Sequence, residues 1–81
     1  MGKNYEKLGD EIITRLGGEQ NITKLFHCAT RLRFQLADMS KADLEGIKKL
    51  TGVMGVVESV GGVQVIIGND VASAYDAIVA K

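Results

Sequence analysis

The 81 residues contain no proline, no tryptophan, one cysteine and one histidine, and ten basic side chains face ten acidic ones. Each scarcity excludes something. One cysteine cannot close an internal disulfide, and with a single histidine it cannot complete a structural zinc site, so the fold must rest on apolar packing. A formal charge of +0 argues against an extended nucleic-acid surface and leaves room only for a local cationic site. No apolar run approaches the roughly 20 residues of a membrane helix. Met1-Gly2 is followed by Glu6 where a myristoylation signal needs Ser or Thr. A free thiol without a signal-like segment points to a reducing cytosol. At this length one domain spanning residues 1–81, with one small core, is expected. The 46% apolar and 25% charged content is that of an ordered globular chain. Neither a linker nor an internal repeat interrupts it, although a helix-then-hairpin order occurs twice.

What is present concentrates between Asn21 and Asp38. Here the cysteine and the histidine stand side by side, His27-Cys28, followed by Ala29, Thr30, Arg31 and, one residue on, Arg33. Read as a strand, Thr30 to Ala37 alternates cleanly, with Leu32, Phe34 and Leu36 on one face and Arg31, Arg33 and Gln35 on the other. On that strand the two arginines lie on one side with Cβ atoms about 7 Å apart, beside the thiol. Two guanidinium groups and a thiol describe a site for a doubly charged anion on sulfur. The chemistry that needs this set is phosphoryl transfer through a phosphocysteine, because a thiol attacks as thiolate and neighbouring positive charge favours that form. Ala29 and Thr30 are small enough for the chain to curl so that successive N–H groups meet a phosphate, and Thr30 adds a hydroxyl. Taken singly, a lone cysteine is a buried filler and arginines on an open sheet face are merely solvated. Together they occupy six consecutive residues.

The flanking patterns give a helix, a hairpin, a helix, a hairpin and a helix. Tyr5, Leu8, Ile12, Ile13 and Leu16 recur at helical spacing over Asn4 to Leu16, which Gly17-Gly18 ends. Asn21 to His27 is expected as the first strand, with Ile22 and Phe26 as its core residues, and Cys28 to Thr30 as the turn. After Asp38, Ser40 with Asp43 three residues on resembles a capping box for a short helix bearing Leu44, Ile47 and Leu50, which Gly46 can interrupt. Lys48 and Lys49 suit its C-terminal end. Val53 to Val60 and Val63 to Ile67 read as strands joined around Gly61-Gly62. Asn69 or Asp70 can cap a last helix with the stripe Val71, Ala74, Tyr75, Ile78 and Val79. The economical fold is α+β, a two-layer sandwich in the order α-β-β-α-β-β-α: a four-stranded antiparallel sheet of two hairpins, covered on one face by three helices. The open face then carries Arg31, Arg33 and, if both hairpins share one sheet, Gln64.

His-Cys-Ala-Thr-Arg-Leu-Arg-Phe, preceded by Asn-Ile and closed by Asp38, resembles the cysteine signature of glucose-type IIB domains of the bacterial phosphoenolpyruvate-dependent sugar phosphotransferase system. Gly52-Val-Met-Gly-Val-Val-Glu58, Gln64-Val-Ile-Ile-Gly-Asn69 and the double glycine before Asn21 extend the likeness over nearly the whole chain. The histidine before the cysteine and the Ile-Ile-Gly-Asn run are most similar to the β-glucoside, sucrose and trehalose branch. The resemblance implies a phosphoryl carrier that takes phosphate from a phosphohistidine of a IIA partner onto Cys28 and passes it to a sugar in a membrane IIC domain. A transcriptional antiterminator is a further partner, and neither cofactor nor metal is implied. It also implies a cytoplasmic location, on the inner face of the membrane within a full permease. Cys28 is then the catalytic nucleophile, and Ala29, Thr30, Arg31, Arg33 and Gln64 bind the phosphate. His27, adjacent on an extended strand, points to the opposite face and is expected to serve as a spacer or interface residue. Asp38 can pair with an arginine or contact the following helix.

Other classes fit less well. A cysteine phosphatase joins thiol to arginine as Cys-x5-Arg, and Phe34 occupies that place. A Cys-x-x-Cys redox protein would need a thiol where Arg31 stands. An RNA-binding sheet would show stacking aromatics on its open face. A non-enzymatic α+β binding module with a structural cysteine is the alternative that remains.

Overall fold

The computed structural model describes residues 5–79. Helix α1 (Tyr5–Arg15) leads through one 3-10 turn into strand β1 (Ile22–His27), which pairs with β2 (Arg31–Leu36). A second 3-10 turn, Met39–Lys41, precedes the short helix α2 (Leu44–Lys48). Strands β3 (Gly55–Ser59) and β4 (Gly62–Ile66) and helix α3 (Val71–Val79) complete the chain. The two hairpins form one antiparallel sheet in the order β1-β2-β4-β3, with the helices on one side, which is the expected sandwich.

Alternation decides which side is covered. Leu32, Phe34, Val63 and Val65 are at most 1% exposed and meet Ile12, Leu16 and Ile47 beneath the sheet. Val71, Ala74 and Ile78 complete this core from α3, and the buried Gly9 lets Ile78 approach α1 closely. The sheet's other face carries the polar alternates of the same strands, and no element among the described residues covers it. The β3–β4 turn is two residues long, as expected, but is made by Val60 and Gly61, and Gly61 takes it at φ 70°, a conformation open to glycine at little cost.

Three details differ from the sequence reading. Phe26 does not enter the core but is 38% exposed, because Thr23 is an extra residue in β1: Ile22 pairs with Leu36 but Lys24 with Gln35. Such a bulge reverses the facing of every later residue, so Leu25 turns inward and Phe26 lies opposite Arg33 on the open face. Ser40 does not cap α2. Its N–H and hydroxyl both donate to Asp38, and Asp43 is itself the cap, accepting from the Gly46 N–H at 3.1 Å. Gly46 does not break α2; its lack of a side chain makes room for the Asp43 carboxylate. The Lys48 and Lys49 side chains are exposed at the helix end.

One buried polar residue ties these pieces together. Asn21, 4% exposed, donates to the carbonyls of Leu16 and Asp38 and accepts the Asp38 N–H, each at 2.8 to 2.9 Å. It thereby joins the end of α1, the start of β1 and the exit of β2, satisfying groups that would be costly to bury unpaired.

Candidate functional site

The turn between β1 and β2 is fixed from three sides. The Cys28 N–H donates to the Arg31 carbonyl at 2.9 Å, closing the turn, and the Thr30 carbonyl accepts from both Ile67 and Gly68 at 2.9 Å. The His27 ring nitrogen Nδ1 lies 3.0 Å from the Cys28 carbonyl. Within the turn, the N–H groups of Ala29 and Thr30 have no acceptor among the described residues. The thiol itself is exposed.

On the open face, β2 lies between β1 and β4, and the register sets Arg33 between Phe26 and Gln64. Arg33 reaches back toward the turn, its Nη1 donating to Cys28 Sγ at 3.5 Å, while its guanidinium carbon stands 5.4 Å from the Phe26 ring centroid. The apolar ring thus supports the cation beside the sulfur. Arg31 does not touch the sulfur. Its Nη1 donates to Gln64 Oε1 at 2.8 Å, which holds this second guanidinium on the same face and leaves the Gln64 NH2 to donate elsewhere. All six residues expected at the site, Cys28, Ala29, Thr30, Arg31, Arg33 and Gln64, therefore belong to one turn and the adjoining open sheet.

Two further residues matter to this geometry. Phe26 was expected in the core, and its role under Arg33 depends on a bulge that the strand pattern does not announce. His27 faces the helix side, its ring centroid 4.7 Å from that of Tyr75 on α3, the facing expected from its adjacency to Cys28. Asp38 pairs with no arginine. Ser40 donates to it through side chain and backbone, and these bonds hold its carboxyl below the ordinary 3.8. A hollow of about 900 Å³ lined by Tyr5, Leu8, Thr51, Met54 and Asp70 among others includes neither Cys28 nor the arginines.

Chemically, the arrangement offers a nucleophilic sulfur, a cation in contact with it, a second cation held nearby and two unpaired backbone donors. It can receive a dianionic group on sulfur and balance its charge without a cavity.

Comparison with known proteins gives this chemistry a context. Residues 10–43 match the family model described as "phosphotransferase system, EIIB". The chain is 49% identical, over 94% of its length, to a β-glucoside-specific EIIBCA component of a PTS system from Bacillus subtilis (strain 168), of which it covers 12%. It is 44% identical, over 96% of its length, to a sucrose-specific EIIBC component from Vibrio alginolyticus, of which it covers 16%. The chain therefore spans under a fifth of the length of these curated relatives. Among solved structures, one domain of a PTS system IIabc component from Clostridium difficile superposes with a TM-score of 0.83 at 34% identity, over 94% of this chain and 79% of that one.

Proposed function

This chain belongs to the glucose-type EIIB family of the phosphotransferase system, and on that premise we propose that it carries phosphate on Cys28 between a IIA phosphohistidine and a sugar. The observation that carries the reading is the Arg33 guanidinium on the exposed Cys28 sulfur at 3.5 Å, with Arg31 held alongside by Gln64.

In the first step Sγ attacks phosphorus, an S–P bond forms, the N–P bond of the donor histidine breaks, and the thiol proton ends on the departing imidazole. In the second step a sugar hydroxyl oxygen attacks the same phosphorus. The S–P bond breaks with sulfur leaving as thiolate, and the hydroxyl proton goes to a base outside this chain. The protein has little covalent chemistry to supply beyond its sulfur. Its contribution is positioning and charge, which is what phosphoryl transfer asks for. Arg33 meets the charge on sulfur and on the phosphoryl oxygens, the Ala29 and Thr30 N–H groups and the Thr30 hydroxyl meet the remaining oxygens, and the Gln64 NH2 completes the set.

The partners in this proposal are a IIA phosphohistidine domain, a membrane IIC domain that presents the sugar, and a transcriptional antiterminator as a second protein acceptor. The sugar is of the β-glucoside, sucrose or trehalose type; the names of the relatives support the first two. Residues 1–81 act as a single IIB unit in the cytoplasm, at the inner membrane face when joined to IIC. No described helix is long and apolar enough to cross a membrane.

Incubation with a phosphorylated IIA domain tests the acceptor. One phosphate should appear in an iodine-labile, acid-resistant linkage, as S–P and not N–P bonds are, and Cys28→Ser should accept none while keeping its fold. Phosphate on His27 would refute the assignment.

A further inference from the structure

Resting on the reading of Cys28 as the phosphoryl acceptor, we propose that His27 is a positioning residue: its Nδ1–H holds the Cys28 carbonyl so that the Ala29 N–H is presented to the phosphoryl group.

The geometry assigns the proton. A carbonyl oxygen can only accept, so the 3.0 Å contact between His27 Nδ1 and the Cys28 carbonyl requires hydrogen on Nδ1. In the neutral ring Nε2 is then bare, the tautomer being set by the bond the other nitrogen makes. The ring's orientation is fixed from the helix layer. Its centroid stands 4.7 Å from that of Tyr75, tilted by 55°, within the range of aromatic pairs, and Tyr75 packs on the core.

The carbonyl that His27 holds belongs to the same peptide group as the Ala29 N–H. In a trans peptide these two bonds point in opposite directions. His27 draws the oxygen toward the side where α3 lies, so the Ala29 N–H is directed away from that side, toward the open face where Arg31 and Arg33 stand. Donation to the carbonyl also polarises the amide and strengthens its N–H as a donor. The other anchors of the turn, Arg31 O on the Cys28 N–H and the Ile67 and Gly68 N–H groups on Thr30 O, do not involve this peptide group. His27 is the described contact that fixes it, and this gives the exposed imidazole a role other than general base.

Two variants separate donor from ring. His27→Asn keeps an N–H near the place of Nδ1 and loses the ring against Tyr75; His27→Phe keeps a ring and loses the donor. With a phosphorylated IIA domain as donor, the Asn variant should accept phosphate at close to the unsubstituted rate and the Phe variant about tenfold more slowly, the effect of one lost hydrogen bond. Equal rates in the two, or the reverse order, would overturn the proposal. On the unsubstituted chain, nitrogen-15 spectra of the neutral imidazole should show hydrogen on Nδ1, and a ring protonated at Nε2 alone would overturn it without any variant. Cys28→Ser is measured in parallel. If the unsubstituted chain takes no phosphate on Cys28, the acceptor reading fails and this inference with it; if it does and the two variants are equal, only the role of His27 fails.

Discussion

Replacing Gln64 by leucine removes at once the acceptor that holds Arg31 and the amide offered to the phosphoryl group. In the folded chain Gln64 Oε1 accepts from Arg31 Nη1 at 2.8 Å, on a face where neither side chain is fully buried. Leucine has similar bulk, so the sheet should persist, and the guanidinium can turn to water, so unfolding free energy should change by less than about 1 kcal/mol. The effect falls on orientation. Releasing two outer torsions of Arg31, each with about three wells, leaves the productive arrangement populated roughly one time in nine, a cost near 1.3 kcal/mol. Phosphoryl transfer from Cys28 to sugar should then slow by at least about tenfold, since each 1.4 kcal/mol is one decade and the lost Gln64 NH2 adds to the effect. Gln64→Glu makes the complementary case. A carboxylate would bind Arg31 more firmly, yet it would repel an arriving dianion; two such groups within about 6 Å at the effective dielectric of a protein surface repel by a few kcal/mol, so this variant should be slower than the leucine one. The assay is single-turnover loss of phosphate from labelled Cys28 to a sugar-loaded IIC domain, with denaturant melts as controls. A leucine variant as fast as the unsubstituted chain, with Arg31→Ala slow, would refute the orienting role; a glutamate variant at full speed would refute the charge argument.

Arg33→Ala removes the cation from Sγ and from the Phe26 ring; transfer should fall strongly while stability drops by no more than about 1 kcal/mol. Lysine should restore only part of the rate, because it keeps charge without the planar fork. Asp38 titrates below its ordinary 3.8 because of the hydrogen bonds from Ser40, so its contribution to stability is present above that value and is lost as pH falls through the lower folded one. Ser40→Ala removes the hydroxyl bond, and thermal midpoints followed from about pH 6 to about pH 2 should fall less steeply than for the unsubstituted chain; parallel curves would contradict the assignment. At Gly62 a Cβ would stand 2.5 Å from the Phe34 carbonyl oxygen, so Gly62→Ala should force β2 and β4 apart and destabilise by about 1 to 3 kcal/mol. An unchanged denaturant midpoint would count against the close packing there.

Much of this protein is local and therefore legible without coordinates. The period-two run Arg31 to Leu36 places Leu32, Phe34 and Leu36 on one face and the arginines on the other whatever the strand pairs with, because the pleat alone sets that alternation. The same holds for the helical stripes of α1 and α3 and for the adjacency of Cys28, Ala29 and Thr30 in one turn. Where local signals competed, the sequence was ambiguous. Ser40, Asp43 and Asp38 are all capping residue types, and which takes which N–H depends on where Asn21 pins the chain after β2. The bulge at Thr23 leaves no mark in composition, so the facing of Phe26 could not be read from β1 alone.

Sequence by itself determined the chemistry at the turn, a thiol followed by small residues and two cations, because these are neighbours in the chain. Tertiary structure alone decided which cation meets the sulfur and what holds the other. The order β1-β2-β4-β3 brings Gln64, 31 residues beyond Arg33, into direct register with it, and packing of α3 on the core sets Tyr75 against His27. Pairing between distant segments is fixed by the burial of a shared apolar face, a property of the whole sheet that no single stretch encodes.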